Sequence, residues 1–73
     1  MTLERKMELI AEILDVDVES INPDTVLTDL DEWDSVAYLS FMAMMDEEFD
    51  KEIKGAEIKK FVTVQDALNV MGE

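Results

Sequence analysis

The chain contains neither histidine nor cysteine, which excludes Cys-nucleophile, His-base and zinc chemistry in their usual forms. Hydroxyls and carboxylates remain. One hydroxyl stands out by its position: Ser35, in Asp34-Ser35-Val36 at the head of a long apolar stretch. Asp and Ser are preferred N-cap residues, and most such pairs only cap helices. Capping alone does not explain why a long loop delivers a serine to the end of the central helix. Nor does it explain the acidic flanks Asp29, Asp31, Glu32 and Asp34. A second group, Asp46, Glu47, Glu48 and Asp50, falls in the last turns of the same helix. There each acid faces the negative end of the helix dipole, at a cost of about 0.3–1 kcal/mol at low salt. A charge run is ordinarily a solvated face, but this unfavourable placement argues for a docking surface.

The elements that must position these residues follow from apolar spacing. Leu3, Met7, Ile10, Ala11 and Leu14 recur with helical period, which predicts helix I over about 3–15, capped by Thr2. Residues 16–34 lose that period and form a long loop with a turn at Asn22-Pro23-Asp24. Val26, Leu27 and Leu30 in this loop are satisfied only by lying across helices, so the loop is expected to be ordered. Helix II is predicted over about 35–50, with Leu39, Met42, Met45 and Phe49 marking one face. Val36 to Met45 is apolar almost all round, as in a helix that is central or keeps a second apolar face for another purpose. A short helix III over about 56–61 and a helix IV over about 63–71 follow. Thr63 and Asp66 have capping-box spacing, Val64, Ala67, Leu68 and Met71 form a buried stripe, and Gly72 ends the helix. The fold class is all-α, a small three- to four-helix bundle with a long loop between helices I and II.

Composition bounds the function further. The 73 residues include 19 acids against six Lys and Arg, a net charge of −13. A domain this small buries about 60% of its unfolded surface, and its core supplies only about 3–5 kcal/mol. Phosphate-backbone binding needs a basic surface, so nucleic acid is excluded as a partner. Phe41 to Met45 is the longest apolar stretch, far short of the ~20 residues a spanning helix needs, and residues 1–14 do not resemble a signal peptide. A soluble, cytoplasmic monomer with no membrane partner is expected.

At this level of detail the sequence resembles a family. Leu30 to Val36, Asp46-Glu47-Glu48-Phe49-Asp50, Glu52-Ile53 and Thr63-Val64-Gln65-Asp66-Ala67 are similar to acyl carrier proteins over nearly the whole chain. The resemblance implies that Ser35 is the attachment point of 4′-phosphopantetheine, transferred from coenzyme A by a separate phosphopantetheinyl transferase, with Asp34 capping and positioning it. It implies that the thiol of this arm carries acyl groups as thioesters for fatty-acid, polyketide or other secondary biosynthesis. The partners would be acyl-loading and acyl-transfer enzymes with basic patches. Val36, Tyr38, Asp46, Glu47 and Glu48 are the docking candidates, and complementary charge there would speed encounter more than it deepens affinity.

Departures from the fatty-acid pattern are local. Asp31-Glu32-Trp33 replaces the usual Gly before Asp-Ser, and Ala37 and Ser40 stand where acids are common. These point to a specialised carrier. Trp33 is expected to pack the loop onto the bundle, and Phe41 is read as core. Six methionines would suit a core that opens to shelter an acyl chain, with Met42 and Met45 as reporters.

Other readings are an aminoacyl or peptidyl carrier of the same fold, or an unmodified acidic interaction module. An EF-hand fails on register: a loop starting at Asp29 puts Trp33 at position 5 and Ser40 at position 12, so no metal site is expected. No catalytic residue is expected either, since Ser35 has no His or Lys neighbour to activate it.

Overall fold

The computed structural model describes residues 2–72. Four α-helices form, α1 (Leu3–Leu14), α2 (Ser35–Phe49), α3 (Gly55–Ile58) and α4 (Val64–Met71), and no β-strand forms among the described residues. This is the expected all-α bundle.

In α1 the Thr2 hydroxyl accepts the Arg5 N–H at 3.2 Å, and Met7, Leu9, Ile10, Ala11 and Leu14 are buried. Leu3, the first member of the expected stripe, is 56% exposed, at the rim of an open cleft that Val18, Ile21 and Pro23 also line. Leu9 replaces it, facing the groove between α1 and α2. The helix ends at Asp15 with φ of 57°, a left-handed conformation that Asp tolerates better than most side chains. At the other end of the chain, the Lys6 ammonium donates to the Gly72 carbonyl and ties α1 to the end of α4.

The long loop is ordered, and the reason lies in both its side chains and its backbone. Leu27 is fully buried, which contributes about 1.5–3 kcal/mol for a leucine. Val18–Ser20 and Leu27–Asp29 each form a short 3₁₀ turn. At Asn22-Pro23-Asp24 the chain turns as expected, with the Asp24 N–H donating to Asn22 Oδ1 at 2.8 Å. Val26 then pairs antiparallel with Thr63, and the Leu27 N–H donates to the Val62 carbonyl at 2.7 Å. In return, the N–H groups of Val64 and Gln65 donate to the carbonyls of Thr25 and Pro23, each at 2.9 Å. These are the first amides of α4, which have no partner inside their own helix. The loop therefore completes α4 while α4 anchors the loop.

Two expectations need correction. The buried face of α2 comprises Ala37, Phe41, Met44 and Met45, while Leu39 is 66% exposed. Packing against α1 and α3 rotates the helix so that the Leu39 side of its apolar surface meets solvent. The third helix is shorter than 56–61 and begins one residue earlier, at Gly55. It stops at Ile58 because the N–H groups of Lys60 and Phe61 turn back to Glu57 and Ile58. The chain then straightens to pair Val62 and Thr63 with the loop. In α4, Val64, Ala67, Leu68 and Met71 are all buried, the stripe read from spacing.

Candidate functional site

Ser35 is the first residue of α2 and is exposed. Its neighbour Asp34 is the N-cap in extended conformation, and the Asp34 carboxylate accepts the Ala37 N–H at 3.1 Å. Asp34 is therefore the cap that the sequence suggests. Among the described residues nothing hydrogen-bonds to the Ser35 hydroxyl. The hydroxyl stands free at the positive end of a 15-residue helix, where unpaired N–H groups favour an anion.

Beneath this turn lies a layer of aromatic rings. Trp33, two residues before Ser35, is buried and stacks on Phe61 with ring centres 6.3 Å apart and planes at 22°. It meets Tyr38 edge-on at 5.1 Å and Phe41 edge-on at 6.5 Å. Phe41 and Phe61 close the layer at 5.5 Å. Edge-to-face and offset contacts at these distances are favourable beyond the area they bury. The layer joins the loop, α2 and the segment after α3, so the height and direction of the Asp34–Ser35 turn are set by tertiary packing. No buried side-chain polar atom among the described residues lacks a partner.

The docking candidates divide by their place around α2. Ser35, Leu39, Ala43 and Asp46 follow one another at helical spacing along a single stripe, and all four are exposed. Val36, 68% exposed, and Glu47, also exposed, border the stripe. With a rise of ~1.5 Å per residue, Asp46 lies about 16 Å along the helix from Ser35. Tyr38 turns away, half-buried against Trp33. Glu48 faces the groove between α1 and α2, which Arg5, Leu9, Glu12, Ser40, Met44 and Glu47 also line. Leu39 belongs to the exposed stripe, although its sequence spacing assigns it to the core. The signal that could have found it is the absence of any polar face between Val36 and Met45. No group of three or more metal-ligating side chains gathers among the described residues, and none of their helices is long and apolar enough to cross a membrane.

Residues 7–70 match the family described as the phosphopantetheine attachment site. The chain belongs to this family. It is 35% identical over 66 residues to an acyl carrier protein of Picosynechococcus sp., covering 89% of this chain and 80% of that protein. An acyl carrier protein of Desulforapulum autotrophicum is 37% identical over 70 residues, covering 93% of this chain and 91% of the relative. The bikaverin polyketide synthase bik1 of Gibberella fujikuroi is 33% identical over 70 residues, which are 96% of this chain but only 3% of that synthase. Acyl carrier proteins with a phosphopantetheine attachment site are carriers, not catalysts, and they bear 4′-phosphopantetheine covalently and work with biosynthetic enzymes such as synthase domains. A free, exposed hydroxyl on a capped helix start fits such a group.

Proposed function

We propose that Ser35 is the residue to which 4′-phosphopantetheine is joined, and that the chain carries acyl groups between partner enzymes without catalysing a reaction itself. The observation that supports this reading best is the Ser35 hydroxyl, free of partners and exposed at the start of α2, on one stripe with Leu39 and Asp46. In the attachment step the Ser35 oxygen bonds to the pantetheine-side phosphorus of coenzyme A. The diphosphate P–O bond breaks, 3′,5′-adenosine bisphosphate leaves, and the hydroxyl proton passes to a base of a phosphopantetheinyl transferase. Once attached, the arm supplies a thiol that holds the acyl group as a thioester. Asp34 holds the helix start in place while Ser35 reacts.

Val36, Leu39, Asp46 and Glu47 form the face that meets basic patches on the transferase and on acyl-loading and acyl-transfer enzymes. Tyr38 and Glu48 act at its margins, Tyr38 by supporting Trp33 and Glu48 by adding to the local negative field. The similarity to two acyl carrier proteins favours an acyl cargo over an aminoacyl one, and the similarity to a polyketide synthase segment extends it to polyketide intermediates. Residues 1–73 act as one carrier domain in this reading, in the cytoplasm, where coenzyme A is available. The test is the intact mass after incubation with coenzyme A, Mg²⁺ and a broad-specificity transferase. A gain of one phosphopantetheine unit, absent in Ser35→Ala, is expected. No gain on a folded sample with several transferases would move the reading to an unmodified acidic interaction module.

A further inference from the structure

The arm's cargo has two places to go: into the bundle beside Ser35, or out toward solvent and the partner enzyme. The inward route passes between the start of α2 and the segment after α3. Trp33, Phe41 and Phe61 occupy that space, exposed by only 8%, 1% and 5%, with mutual ring-centre distances of 5.5 to 6.5 Å. Tyr38, one turn beyond Ser35, closes the outer edge against Trp33. The adaptable side chains lie deeper: Met45 and Met71 are fully buried, and Met45 stands one turn beyond Phe41 along α2 from Ser35. Two open clefts, of about 440 and 340 Å³, lie against α1 and include neither Ser35 nor any of the four rings.

Rings packed in this way have fewer ways to yield than methionines, because each is rigid and contacts the others on several sides. Adding methylenes to such a layer forces off-rotamer side chains and backbone shifts. Beside Ser35, the reading of a methionine core that opens for an acyl chain meets an aromatic wall.

We propose that Trp33, with Phe41 and Phe61, is a specificity-determining plug that keeps the acyl chain on the Ser35 arm outside the bundle, so that this carrier presents its cargo exposed whatever its length. The inference rests on attachment at Ser35. It fits a carrier whose partners take up the chain directly, since no step is then needed to draw the cargo out of the carrier.

The test loads the full chain with acetyl-, hexanoyl- and octanoyl-phosphopantetheine from the matching coenzyme A thioesters, and intact mass confirms each product. Trp33 is the only tryptophan, so its emission reports on the plug, and the Met42 and Met45 methyl signals report on the interior behind it. The expected result is that emission, methyl signals and thermal midpoint are the same for all three cargoes. A progressive change in any of them with chain length would overturn the proposal while leaving attachment at Ser35 intact. No mass gain at all would remove both. Trp33→Leu, which keeps an apolar side chain in place, then assigns the effect to the ring. Methyl signals that become dependent on chain length in this variant support the plug, and a folded variant whose signals stay independent of it overturns the role of Trp33.

Discussion

At the start of α4, the Asp66 carboxylate folds back to accept the N–H groups of Val62 and Thr63 at 2.8 and 3.1 Å, and the next two amides are taken by carbonyls of the long loop. At the start of α2, Asp34 accepts the Ala37 N–H and the hydroxyl beside it is left to solvent. Both helix starts use an acid as an acceptor, and both lie at the end of a non-helical segment. They differ in what is left over. At the α4 start the four amides from Val62 to Gln65 are all taken up by the fold, so the acid there is structural. The α2 start keeps one nucleophilic atom that the fold does not need, held on a rigid aromatic base. A reactive group that is spare, exposed and well anchored is what a modifying enzyme requires of its substrate.

The most decisive way to break this contrast is Ser35→Ala. Complete loss of phosphopantetheine loading is expected, with stability changed by no more than about 0.5 kcal/mol because the side chain is on the surface. Paired intact-mass and urea measurements check both halves. A large stability loss would mean that the hydroxyl was not spare after all. Phe41→Ala probes the base beneath it. Removing this 1% exposed ring is expected to cost about 3–5 kcal/mol, comparable to the whole reserve of so small a core, and far-UV circular dichroism should show a largely unfolded population at 25 °C.

Asp34→Ala should cost about 1 kcal/mol, as loss of an N-cap does, and should slow loading without abolishing it. Urea denaturation and a loading time course separate these effects. Salt should act more weakly still. The net charge of −13 destabilises the compact state through self-repulsion, and added salt screens it, so the thermal midpoint should rise. A flat or falling midpoint would count against that account.

The smallest expected effect concerns acid. The two backbone N–H groups, Val62 first and Thr63 second, hold the Asp66 carboxyl below its usual value. A depressed value in the folded state means that the carboxylate stabilises the protein above the usual carboxylate range. That contribution is lost as pH falls through the lowered value. Asp66→Asn should therefore lower the thermal midpoint at neutral pH and flatten its dependence on acid. The residue is only half-buried and its carboxylate is screened by solvent, so the difference will be small, and a calorimetric series down to pH 3 compares the variant with the parent.

Much of the fold was legible because it depends on local rules. The period of α1, the stripe of α4, the Thr2 and Asp34 caps and the Asn22-Pro23-Asp24 turn need only neighbouring residues. The exposure of Leu39 was not legible. A helix apolar on every side carries no internal signal for which side the bundle will cover, and its spacing suggested the opposite face. Nor could the sequence reveal that Val26 pairs with Thr63, since a single backbone bridge between residues so far apart leaves no periodicity.

From residue types and spacing alone came an all-α bundle, an Asp-capped serine at the head of its central helix, and an acidic surface with no thiol or imidazole of its own; the carrier role came from the family resemblance. The tertiary structure decided which face of α2 is free, that Tyr38 and Glu48 turn away from the Ser35 stripe, and that four rings stand under the reactive turn. The division has a physical cause. Capping and amphipathicity are set within a few residues, whereas burial depends on which distant surfaces arrive to share it.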